Sequence, residues 1–199
     1  MARGRSKPPG PIKPTEPIIT GDEVLTLIPD EYLAAMGRIT AAWALLGYHL
    51  DLAICSFMQS PQFLGVCLTS RVRGTPDKLT ALGALMRAHE MPEARITWIT
   101  RFQQKTHDVG RKRNRAVHDA IMLGSNTKTV YRMSATITDK NVAFGVTPSS
   151  TQELSDIYQE VKNHLSQFLD FWSQVVVEFQ TLRGKVPLSF FEFLPPVRT

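Results

Sequence analysis

Three observations predict an all-α fold, an up-and-down bundle of four main helices plus a short one, with a small β-hairpin inserted before the last long helix. Apolar residues recur at three- and four-residue spacing over most of the chain. Capping residues stand at the starts of those stretches. One short region rich in Val, Tyr, Thr, Ile and Phe departs from the helical period.

Residues 1–20 are rich in Pro, Gly, Lys and Arg without periodicity and read as a disordered basic arm. Asp30 is placed to cap a long helix reaching Met58, whose stripe is Met36, Ile39, Trp43, Leu46, Leu50, Ala53 and Phe57. Pro61 interrupts it, and Phe63–Val72 reads as a shorter apolar helix. Thr75–Pro76–Asp77 opens a helix to about His89, with proline at its first position. The next helix starts at Pro92. Its inner stripe is Ile96, Ile99, Phe102, Thr106 and Val109, continued by Val117, Ala120 and Ile121, with Gly110 placed to kink or briefly break it. Gly124–Ser125–Asn126 is expected to stop it. Thr129–Ile137 and Val142–Val146, joined by Asp139–Lys140–Asn141, form the hairpin, an insertion over about 129–146. Ser150 and Glu153 then match a capping box before the final helix. Its buried face is Leu154, Ile157, Val161, Leu165, Phe168, Trp172, Val175 and Phe179. Residues 21–184 thus make one helical domain, and 185–199 a Phe/Pro-rich tail expected to pack back on it.

Composition narrows the function classes. With 199 residues, 43% hydrophobic and 21% charged, the chain suits a soluble globular domain. No apolar run is read as a bilayer span, and MARGRSKPPGPIKP has no apolar core of a secretory signal. Cys55 and Cys67 both lie in apolar surroundings and read as buried, reduced thiols. A cytoplasmic protein without membrane contact is expected. The net charge of +5 permits an anionic partner. Its distribution says more: Arg101, Lys105, Arg111, Lys112, Arg113 and Arg115 face Asp108 alone over 101–115, and Arg3, Arg5, Lys7 and Lys13 sit in the arm. The remainder is net acidic.

The phosphate-loop, serine-hydrolase, zinc-protease and C-x-x-C patterns are all missing, and carboxylates are scattered. No metal ligand set and no cofactor are expected. The basic helix carrying RKRNRAVHD is what remains. On an ideal helix His107, Arg111, Asn114 and His118 fall within about 60° of one face, and Arg113 lies roughly 140° from His118. An arginine beside a packing stripe needs a carboxylate, a cleft or an interface to be tolerated. These residue types suit metal-free RNA cleavage. That reaction needs a base for the 2′-OH proton, donors for the phosphate, and an acid for the leaving 5′-oxygen. Histidine carries protons near neutral pH, and arginine presents a fork of donors matched to phosphate. Asn114 could orient His118 or donate to the phosphate. One motif supplies one strong proton carrier, so a two-fold dimer pairing two such helices is expected.

On Arg113, Asn114 and His118 the chain resembles the HEPN family of small helical ribonuclease domains, in the R-N-x-x-x-H form of its R-x-x-x-x-H motif. Helical segments before the motif and a long amphipathic helix after it extend the resemblance over about Asp30–Leu182. It implies a homodimer with a composite site and metal-independent endoribonuclease activity, in toxin–antitoxin, phage-defence or RNA-processing systems. Arg113 and His118 would be catalytic, supported by Asn114, with an antitoxin or other protein as a further partner. Arg111, Lys112, Arg115 and His107 are expected RNA contacts from position and charge alone. Some toxin members carry a tyrosine two residues after the histidine, the target of a partner nucleotidyltransferase. Ala120 stands there, so that mode of control is not expected. The alternative is a non-catalytic helical module that binds RNA or a partner protein through the same surface.

Overall fold

The computed structural model describes residues 18–19, 24, 27–60, 62–72, 74–138 and 141–183. The arm to residue 17 and the tail 185–199 lie outside them. In chain order the elements are β1 (Ile18–Ile19), α1 (Asp30–Met58), α2 (Gln62–Thr69), α3 (Gly74–Ala88), α4 (Glu93–His118), β2 (Ala120–Gly124), β3 (Val130–Thr138), β4 (Asn141–Ser149) and α5 (Thr151–Arg183). The all-helical framework with a hairpin before the last long helix is therefore present. The chain divides into two compact units, Met1–Thr40 with Arg111–Gln159, and Ala41–Gly110 with Glu160–Thr199.

In the second unit the expected stripes converge. Leu46, Leu50 and Phe57 of α1, Ile99 and Phe102 of α4, and Phe168, Trp172, Val175 and Phe179 of α5 form its core, and α3, for which no stripe was expected, adds Leu79, Leu82 and Met86. Each helix contributes one apolar face at the helical period, which is the arrangement that buries the most apolar area per helix. Trp98 stacks flat on Phe171, with centroids 3.8 Å apart. Helix α1 is long and apolar enough by composition to cross a membrane. Its residues Leu46, Leu50, Ala53 and Phe57 are buried against protein, while Leu45, Tyr48 and Met58 are exposed.

Two glycines are explained by close approach. Gly65 of α2 faces Cys55 so closely that an added Cβ would lie 2.1 Å from its Sγ. Gly110 faces Trp43, whose Cη2 would stand 3.1 Å from such a Cβ. Gly110 does not break the helix: α4 runs continuously from Glu93 to His118, and the glycine packs against Trp43. Cys55 is buried, but Cys67 is exposed, contrary to expectation. Helix α2 turns Gly65 and Thr69, one turn apart, inward, which leaves Cys67 and Leu68 on the outer side.

The first unit contains a four-stranded sheet in the order β1-β2-β3-β4, all antiparallel. The helix expected to run through Ile121 ends at His118, and Ala120–Gly124 is a strand. Ala120 pairs with Met133, Ile121 with Arg132, Met122 with Tyr131 and Leu123 with Val130. A four-residue apolar run carries no decisive period, and the exposed edge of β3 claims it. Gly124–Ser125–Asn126 accordingly opens the β2–β3 turn. The Gly124 amide donates to the Thr129 carbonyl at 2.9 Å, and Lys128 takes the left-handed conformation at φ 56°. The arm's expected end at residue 20 is also revised. Ile18 and Ile19 pair with Gly124 and Leu123, because β2 would otherwise leave an open edge.

Candidate functional site

The motif occupies the last turns of α4 and the first unit. Ala116 is buried. Arg113 is half-buried, and Asn114 and His118 are exposed. The long guanidinium stem covers the 140° between Arg113 and His118 that the helical wheel left open. Its Nη1 donates to Asn114 Oδ1 at 3.0 Å and to His118 Nε2 at 2.9 Å. The three motif residues therefore meet within a single chain and need no kink.

That contact fixes the imidazole. A guanidinium has donors only, so Nε2 must accept and the ring proton sits on Nδ1. The lone pair that would act as a base is the one Arg113 covers. Arg113 Nε is buried, and no protein acceptor reaches it among the described residues. Burial lowers the Arg113 pKa below the usual guanidinium value. It is a cation held beside a ring that takes only one of its donors, and it is well disposed to move to an anion.

Asp119, next to His118, was not among the sequence candidates. Burial pushes its carboxyl above the usual range, while the charges of Arg132 and Arg115 draw it back. Arg132 of β3 is buried and paired with Glu153 at the start of α5. Glu153 accepts from Ser149 Oγ at 3.0 Å, and Ser149 accepts from the Tyr32 hydroxyl at 2.9 Å. Desolvation raises the pKa of that hydroxyl, with Ser149 the largest opposing influence. This chain of contacts ties α1, β3, β4 and α5 together around the end of the motif helix. Its signal in the sequence was slight: an Arg and a Glu that simple patterning reads as surface residues.

Of the expected RNA contacts, Arg111, Lys112 and Arg115 are exposed on the same stretch of α4 as the motif. His107 is exposed too, but it belongs to the second unit and is not in the cluster. Among the described residues no group of three or more His, Cys, Asp and Glu side chains could hold a metal ion. Among the remaining histidines, His164 is structural. His164 is buried and stacks on Phe102 with centroids 4.0 Å apart. Its Nε2 lies 2.7 Å from Thr106 Oγ1, which spends its own proton on the Phe102 carbonyl. His164 Nε2 therefore donates, and its Nδ1 is a buried acceptor.

Compared with family models, with curated proteins and with solved structures, the chain matches none of them.

Proposed function

We propose that the protein is a metal-independent endoribonuclease of HEPN type that cleaves single-stranded RNA by 2′-OH attack. The observation that carries this is the bridge of one arginine to both Asn114 and His118, on a half-buried guanidinium in a basic, exposed stretch. A phosphodiester entering there offers Arg113 a charge-assisted partner stronger than a neutral imidazole. Moving Arg113 onto a non-bridging oxygen uncovers His118 Nε2. The ring then takes the 2′-OH proton as the 2′-oxygen attacks phosphorus. The P–O5′ bond breaks, the 5′-oxygen takes a proton, and a 2′,3′-cyclic phosphate remains. In a homodimer His118 of a second copy across a two-fold axis, in its protonated imidazolium form, supplies that last proton and returns to the neutral ring. Arg111, Lys112 and Arg115 hold the flanking strand by charge. The same reading makes it a cytoplasmic enzyme held in check by a partner protein, as in toxin–antitoxin or phage-defence systems.

The test is incubation of labelled RNA with the purified protein in EDTA. Cleavage is expected, and His118→Ala and Arg113→Ala are each expected to lower it by about a hundredfold or more. Circular dichroism and sedimentation check that both variants remain folded dimers. Undiminished cleavage by His118→Ala would sink the reading, and salt-sensitive binding without cleavage by the wild type would establish the non-catalytic module instead.

A further inference from the structure

The second unit contains a cleft of about 380 Å³ that RNA cleavage at His118 does not use. Its lining includes Trp43, Gly47, Tyr48 and Asp51 of α1 and Thr75 and Lys78 of α3. The volume falls within the range of small-molecule pockets, about 300–1,000 Å³. Trp43, Gly47 and Asp51 follow one another at four-residue spacing, so they share a face of α1. Gly47 is the open step in that row, since a Cβ there would meet nothing within 4 Å. Trp43 is steadied by its contact with Gly110, and the Tyr48 ring is 44% exposed. The cleft therefore pairs aromatic surface with a bare stretch of helix, a combination that admits a planar ring.

The polar group in this cleft selects further. Lys78 Nζ donates to Asp51 Oδ2 at 2.7 Å, and the two side chains are only 14% and 16% exposed. Asp51 Oδ1 is buried, and no protein donor reaches it among the described residues. A buried carboxylate oxygen without a donor is costly. The ion pair is neutral as a whole, so an anion meets Asp51 and a cation meets Lys78, each unfavourably. A neutral group with an N–H for the carboxylate, which turns to bring Oδ1 to the cleft, and an adjacent acceptor for a second Lys78 proton satisfies both, because an ammonium has three donors.

We propose that this cleft binds a nucleobase, through an edge that sets an N–H donor beside an acceptor, with the ring against Trp43 and Tyr48. The base comes either from a free nucleotide or from a strand of RNA, and the proposal stands apart from the assignment of His118. Tryptophan fluorescence of the full chain, titrated with the four 5′-mononucleotides, with hexa-adenylate and with ribose 5-phosphate, tests it. At least one mononucleotide or the hexamer is expected to bind saturably, and ribose 5-phosphate is not. Binding of the mononucleotide as tightly as the hexamer assigns a free nucleotide, and binding of the hexamer alone assigns RNA. Asp51→Asn keeps an oxygen for Lys78 and is expected to weaken binding about tenfold. Gly47→Leu places its Cβ where nothing lies within 4 Å, fills the open step and is expected to abolish binding. The proposal is overturned if the folded wild type binds no nucleotide. It is equally overturned if ribose 5-phosphate binds as well as a nucleotide, or if Asp51→Asn and Gly47→Leu leave binding intact.

Discussion

His164 shows how much a single buried side chain can decide. Its Nε2–H is committed to Thr106, and Nδ1 has no room for a proton with an acceptor. Desolvation, reinforced by the Lys105 charge and opposed by Glu160, lowers its pKa from 6.5 to about 4. The neutral ring is the form the fold accepts, so the unfolded chain binds the extra proton between those values. Stability from this group is complete above pH 6.5, falls as pH drops toward about 4, and is constant below. The gap is worth roughly 3 kcal/mol. Urea unfolding between pH 7 and pH 4 should show the decline, and His164→Gln should remove that share of it. At the motif the decisive fact is also of this size: the Arg113 side chain is long enough to reach His118. Helical angles alone set those two residues apart, because a wheel records where Cβ points and not where a guanidinium ends.

Among the elements, α5 owes its start to Ser150. The Glu153 amide donates to Ser150 Oγ at 3.1 Å, which is the N-cap bond the sequence pattern implied. The reciprocal half of the capping box is not made as expected. Glu153 turns to Arg132 and Ser149 instead, since a buried arginine is the stronger claimant on a carboxylate. Ser150→Ala should therefore lower stability by about 1 kcal/mol, measurable as a shift in the urea midpoint with unchanged slope. Glu153→Gln should cost more than that, because it strips the charge from the partner of a buried arginine. The limits of helices α1, α3 and α5 were legible within a residue or two from Asp30, Thr75–Pro76 and Ser150. The end of α4 was not. Ala120–Leu123 fits either period, and the choice belonged to β3, whose pairing depends on chain far along the sequence.

For the molecule as a whole, charge is concentrated where the motif lies, and Arg111, Lys112 and Arg115 are exposed there. RNA binding should weaken linearly in log affinity against log salt. Arg115→Ala should flatten that line by about 0.7 if its contact is to a phosphate of single-stranded RNA. A slope unaltered by Arg115→Ala, measured by fluorescence anisotropy, would move the RNA-binding surface elsewhere.

By itself the sequence determined the helical class, the position of the inserted strands, the residues of α1, α4 and α5 that form the core of the second unit, and the motif. These are local or periodic properties: caps, spacing and composition are carried by neighbours a few residues apart. Tertiary structure alone decided that Ala120–Gly124 is a strand and that Ile18–Ile19 joins it. It also decided that Gly110 packs on Trp43 rather than breaking α4, and that Cys67 faces outward. The closing of Arg113 over His118, the buried Arg132–Glu153 pair and the Asp51–Lys78 cleft belong to the same group. Each of these depends on a partner or on side-chain reach, and periodicity within one segment holds no record of either.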